Sequence, residues 1–204
     1  MNPVKQTKTF SHVKDEAKLA RQTIIIDAAE RVFAVKPFNK ISIRDIAREA
    51  GISHASIYRY FPDQQSLFVE AFLHGAGEIG GTLTSLIENG KIPDITKISD
   101  AYVTYLMDND QYFRMMTHFM LDGSLSKEKI AKLNAAERRI FDLFDKLFRK
   151  MKRPEPVRLL SHALFAALNG VLITFRNYPG RKPRDVRQHM LNVARVIARS
   201  FSNT

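Results

Sequence analysis

The stretch from Ile43 to Phe61, IRDIAREAGISHASIYRYF, constrains the fold of this chain more than any other. Its first half sets Ile43, Ile46, Ala47 and Ala50 at i, i+3, i+4 and i+7, one apolar stripe on a helical period. Gly51 follows where a chain leaving a helix needs a left-handed residue, a conformation glycine adopts without steric cost. Ser53 is then an N-cap candidate, its hydroxyl able to accept from an amide that the next helix leaves unpaired. The second half keeps only Ile57 and Phe61 for a core and turns His54, Ala55, Ser56, Tyr58, Arg59 and Tyr60 outward. A helix so short, with so little to bury, reads as a recognition surface rather than a strut. Two short helices across a glycine turn form the helix-turn-helix pattern, whose second helix enters the DNA major groove by its N-terminal residues.

A chain of 204 residues with 45% hydrophobic content can bury a full core, as one large domain or two small ones. It has no cysteine, which excludes disulfides, thiolate metal sites and cysteine nucleophiles. No run reads as the roughly 18–20 apolar residues of a membrane span, and MNPVKQTKTFSHVKDEAK lacks the apolar core of a signal peptide. A soluble cytoplasmic protein is expected. The net charge of +11 favours polyanionic partners, nucleic acid first, although a surplus of charge also suits a merely solvated surface. Its placement is more telling. Lys5, Lys8, Lys14, Lys18 and Arg21 precede or open the first helix with only Asp15 and Glu16 against them, an arm suited to phosphates or the minor groove. A second basic set, from Lys146 to Arg199, reads as solvated helix faces.

From about Lys18 to Leu73 the sequence resembles the DNA-binding domain of the TetR family of bacterial transcriptional regulators. The pieces that carry the resemblance are IIDAAERVFA, then ISIRDIAREAGIS, then IYRYF followed by Pro62 and QQSLFVEAF. It covers roughly the first third of the chain; the remainder resembles the family only in being long and helical. Two positions depart from the pattern. Pro37 stands where the family usually has glycine, and Gln64 where it often has a phosphate-touching lysine, so one ionic contact is expected to be missing.

The expected fold is all-α, an N-terminal three-helix helix-turn-helix domain followed by a larger C-terminal helical bundle. The expected division is a basic arm over 1–17, the DNA-binding domain over 18–75, and a ligand-binding and dimerisation domain over 76–204. Ile25, Ala28, Ala29, Val32 and Phe33 give a first helix from about Val13 to Val35, stopped before Pro37. Ser42 is placed to cap the next helix, and Asp63 to cap a fourth carrying Leu67, Phe68, Ala71, Phe72 and Ile79. Gly75, Gly77, Gly80 and Gly81 then make that helix weak or broken, since each interior glycine costs about 1 kcal/mol against alanine. The stretch reads either as a bend or close packing point, or as a hinge. Beyond Pro93, helices are expected at about 94–108, 109–122, 126–151, 155–177 and 184–201. Asp108-Asn109, Asp122-Gly123, Pro154, Pro156, Pro179-Gly180 and Pro183 punctuate them, and Ser126 opens the third.

The resemblance implies a dimer formed by the last two long helices, and the residues expected there are Leu160, Leu164, Ala167, Val171, Val186, Met190, Val193 and Ile197. It also implies a small-molecule effector inside the C-terminal bundle. The middle helices are rich in aromatic and methionine residues, which line adaptable apolar pockets as well as ordinary cores. An apolar or amphipathic effector is expected, with Tyr105, Met116, His118, Phe119, Phe144, His162, Phe165 and Asn169 as pocket candidates and Arg176 as a further polar contact. For DNA, Ser42, Arg44, Tyr58 and Tyr60 are expected mainly at phosphates, and Ser53, His54, Ala55 and Ser56 at base edges. Arg59 suits either role.

The six histidines show no zinc-ligand spacing, and there is no GxSxG, no phosphate-binding glycine loop and no acidic pair for acid–base work. No metal, cofactor or catalytic residue is expected. The reading is a homodimeric, ligand-responsive bacterial transcriptional regulator, a repressor, binding a pseudo-palindromic double-stranded DNA operator in the cytoplasm. Two other classes stay open: a constitutive DNA-binding protein without an effector, and an all-α enzyme.

Overall fold

The computed structural model describes residues 10–36, 40–89, 93–121, 125–153 and 155–202. Lys5, Lys8, Pro37, Asp122, Gly123 and Pro154, on which expectations were placed, lie outside the described residues. Among the described residues there are nine helices and no strand. They are α1 (Phe10–Val35), α2 (Ile43–Glu49), α3 (His54–Tyr58), α4 (Gln64–Glu88), α5 (Ile95–Asp108), α6 (Asp110–Leu121), α7 (Lys127–Lys150), α8 (Val157–Phe175) and α9 (Pro183–Ser200). The first helix therefore starts within the expected arm, at Phe10. The chain divides into two compact units between Ala71 and Phe72, so α4 contributes to both.

In the N-terminal unit, the expected α1 stripe of Ile25, Ala28, Ala29, Val32 and Phe33 is buried, as are Ile43, Ile46 and Ala47 of α2, Ile57 of α3, and Leu67 and Phe68 of α4. Phe33 and Phe68 meet edge to face at 4.8 Å, the arrangement that ring quadrupoles favour. Asp63 accepts from the Ser66 amide at 2.7 Å and starts α4.

In the C-terminal unit, α4 runs unbroken through its four glycines to Glu88, contrary to the expected weak point. Its buried face, with Ile79, Leu83 and Ile87, outweighs the glycine penalty. Gly75 allows a close approach: a Cβ there would lie 2.6 Å from the Tyr112 ring. The remaining helices are pinned by polar contacts as well as apolar ones. Arg195 grips Asp100 with paired hydrogen bonds of 2.9 and 3.1 Å, joining α9 to α5. Ser161 donates to the buried Asp145 at 2.6 Å and Arg158 pairs with the same carboxylate at 3.0 Å, joining α8 to α7. Asn169 donates to the buried Tyr102 hydroxyl at 3.1 Å, joining α8 to α5. Among the described residues one helix, α8, is long and apolar enough by length and composition to cross a membrane, which the sequence reading missed. The bonds of Ser161 and Asn169 hold it within the bundle.

Candidate functional site

Three features on the two units carry functional chemistry, beginning with the α2–turn–α3 unit. Ser42 and Asp45 form a reciprocal cap: the Ser42 hydroxyl accepts from the Asp45 amide at 3.3 Å, and Asp45 accepts from the Ser42 amide at 3.1 Å. The same hydroxyl donates to Asp45 at 2.9 Å, so it is engaged in capping. Asp45 also pairs with Lys36 at 2.6 Å and Arg48 at 2.7 Å. The Lys36 ammonium first, then the Ser42 hydroxyl and amide, lower its pKa from 3.8 to about 2. At the far end of α2, Gly51 takes φ +68°, its amide donates to Arg48 O, and the Ile52 amide reaches back to Ala47 O at 3.0 Å. Those paired bonds across a left-handed glycine close the helix and turn the chain into α3.

Ser53 caps α3, accepting from the Ser56 amide at 3.2 Å, and the two hydroxyls lie 2.8 Å apart. Within α3 only Ile57 is buried, and Phe61 follows it into the core. His54, Ala55, Tyr58 and Arg59 are exposed, as are Arg44 and Ser53, while Ser42, Ser56 and Tyr60 are half-buried. Gln64 turns inward and donates to Ile41 O at 2.9 Å, tying the start of α4 to the residue before Ser42. Gln64, where the resemblance raised the expectation of a phosphate-touching lysine, is therefore a structural tie in this chain.

The C-terminal unit encloses a cavity of about 310 Å³ lined from α4, α5, α6, α7 and α8. Its aromatic wall is ordered: Phe72 stacks on Tyr112 at 4.9 Å and 2°, and Phe119 meets Phe72 edge-on at 5.7 Å. Met116, Phe119 and Phe165 line it, but five expected residues do not. Phe144 is wholly buried in the core beside Tyr102. Asn169 is committed to Tyr102 and to Phe165 O. Tyr105 donates to Gly75 O at 2.9 Å. His162 is exposed and lies on Phe141 at 4.4 Å. His118 lines a separate shallow depression with Arg114. Arg176, also expected to contact a ligand, pairs with Asp110 and lies over the Phe113 ring at 4.7 Å. Burial pushes the hydroxyl pKa of Tyr102 and Tyr112 well above the ordinary value.

Tyr102, Tyr112, Asn134 and Glu137 are the polar lining residues that sequence reasoning missed. A signal existed for the last. Glu137 sits at helical spacing among Leu133, Ile140 and Phe144, a carboxylate on the apolar stripe of α7.

The third feature is a bare face of α8. Leu164, Val171, Val186 and Met190, expected at a dimer interface, are buried within the chain itself and cannot face a partner. Leu160, Ala167, Val193 and Ile197 are half-buried. The exposed apolar residues lie one face over: Leu159 (64% exposed) and Ile173 (66%) bracket Ala163, Ala166 and Gly170, and Val196 of α9 is 65% exposed. The α8 positions recur at intervals of 4, 3, 4 and 3, the spacing of a helix–helix seam.

Residues 25–71 match the family of bacterial regulatory proteins, tetR family. An HTH-type transcriptional regulator of Haemophilus influenzae is 40% identical over 50 residues, 24% of each chain. The matched stretch thus spans about a quarter of that relative's length. A TetR-family transcriptional regulator from Mesorhizobium loti has a similar fold at TM-score 0.70 and 18% identity, over 90% of this chain and 97% of that one. The regulator FadR of Bacillus subtilis, solved with stearoyl-CoA, superposes at TM-score 0.68 and 18% identity, over 84% and 96%.

Proposed function

This chain belongs, through its N-terminal domain, to the tetR family of bacterial regulatory proteins, and from that premise we propose that it is a ligand-responsive transcriptional repressor acting as a cytoplasmic homodimer on a pseudo-palindromic operator. The observation that carries the reading is α3, a capped helix that buries Ile57 and leaves His54, Ala55, Tyr58 and Arg59 on the surface. His54 and Ala55, with the Ser53–Ser56 pair, stand at the start of the recognition helix, where base edges and the thymine methyl come within reach. Arg44, Tyr58 and Tyr60 contact phosphates and fix register. Ser42 acts through its cap, holding α2 in place.

The effector occupies the apolar cavity, whose lining includes Phe72, Ala76 and Ile79 of α4, the helix whose first residues belong to the N-terminal unit. FadR, with stearoyl-CoA, is a fold neighbour that takes a ligand with a long apolar chain. A ligand shifts such a protein only by its differential affinity for the DNA-competent and released states. Dimerisation uses the Leu159–Ala163–Ala166–Gly170–Ile173 face of α8 together with Val196, an apolar seam left uncovered by the described residues.

A random-sequence DNA selection with the purified full-length protein tests the reading. A two-fold symmetric motif, bound by two protomers with a steep salt dependence, is expected. Binding without sequence preference at every salt concentration would refute it.

A further inference from the structure

We propose that the cavity of the C-terminal unit takes an amphipathic cation, its positive head held by the Glu137 carboxylate and its apolar part by the aromatic wall. The inference rests on the ligand-responsive reading above and gives that ligand its charge. Among the described residues that line the cavity, Glu137 is the one that carries a charge, and none is a lysine, arginine or histidine. It is half-buried on α7, and among the described residues it has neither a hydrogen bond nor an ion pair. The carboxylates further along the same helix are answered: Asp142 and Asp145 both pair with Arg158. A carboxylate left unanswered beside an apolar space is costly, and a cation arriving in that space removes the cost.

Two further observations point the same way. The Tyr102 hydroxyl, raised in pKa chiefly by burial, is raised further by the charge of Glu137, so the negative field reaches the cavity wall. The stacked Phe72–Tyr112 pair and Phe119 supply ring faces, which attract cations through their quadrupoles. An anionic amphiphile would face Glu137 with no cationic side chain among the described lining residues to offset it. A neutral one would leave the carboxylate unpaired.

The test is calorimetric titration of the full-length protein with decyltrimethylammonium, decanoate and 1-decanol, three matched chains, the two ions kept below their micelle concentrations and the alcohol below its solubility limit. The cation is expected to bind tightest and decanoate weakest. Glu137→Gln, which keeps size and hydrogen-bonding capacity, is expected to weaken the cation about tenfold and to leave 1-decanol unchanged. The ranking on the unaltered protein stands as a test even where the variant folds poorly. Decanoate or 1-decanol binding as tightly as the cation, no binding of the cation, or a Gln variant that binds it as well as the parent would each overturn the inference. An operator motif from the DNA selection alongside any of those results would leave the regulator reading standing and remove only the cationic ligand. A selection without a motif would remove the regulator reading, while calorimetry still decides the charge preference of the cavity.

Discussion

At Asp45 one carboxylate accepts from the Ser42 amide and hydroxyl and pairs with Lys36 and Arg48. Because its pKa in the folded chain is lowered to about 2 from 3.8, the charged form contributes stability above that ordinary value. This contribution is lost as pH falls through the interval between the two. Acid unfolding of Asp45→Asn, followed by circular dichroism, should therefore lack the part of the parent's stability loss that falls between pH of about 4 and about 2. On the recognition helix the expectation divides by side chain. Tyr58→Phe, measured by binding to a panel of operator variants, should weaken all sequences alike by roughly threefold to tenfold, the worth of one hydrogen bond. His54→Ala should instead relax preference at one base pair. The caps at Ser42, Ser53 and Asp63 and the turn at Gly51 were legible in the sequence because each acts within a few residues of itself. The inward bond of Gln64 to Ile41 O was not, since it depends on how distant segments pack.

At the scale of the helix, α4 shows where local propensity misleads. Its four glycines lower intrinsic helicity, yet the helix persists because Ile79, Leu83 and Ile87 bury one side of it. The glycines are also unequal. A Cβ at Gly77 meets nothing within 4 Å, whereas at Gly75 it meets Tyr112 at 2.6 Å. Gly77→Ala should raise unfolding free energy by about 0.5–1 kcal/mol, and Gly75→Ala should lower it by about 1–3 kcal/mol, both read from urea denaturation. Equal effects at the two positions would show that propensity alone governs them. The same limit explains the pocket. Periodicity marked the middle helices as apolar, but both faces of α6 and α7 carry apolar residues, and only packing decides which side encloses space. Phe144 and Ile140, both buried on α7, illustrate it: the first fills the core and the second lines the cavity.

For the whole molecule, the resemblance implied a dimer through the last two long helices, and periodicity could not tell which of their faces stays open. The stripe at Val186 and Met190 is as regular as any in the chain, and it closes the chain's own core. The bare stripe on α8 has small residues at its middle, Ala163, Ala166 and Gly170, which allow helices to approach closely. Ala166→Arg should place a charge in that seam, yield monomers in sedimentation equilibrium, and reduce operator affinity by at least about tenfold through loss of paired half-site binding. A dimeric variant would assign the seam elsewhere. The near-absence of burial in α3 has a consequence over longer times than any experiment above. With Ile57 and Phe61 holding the helix, the side chains around them can be exchanged at little cost to the fold. After a gene duplication, such a protein can drift from one DNA address to another while remaining folded at every intermediate step.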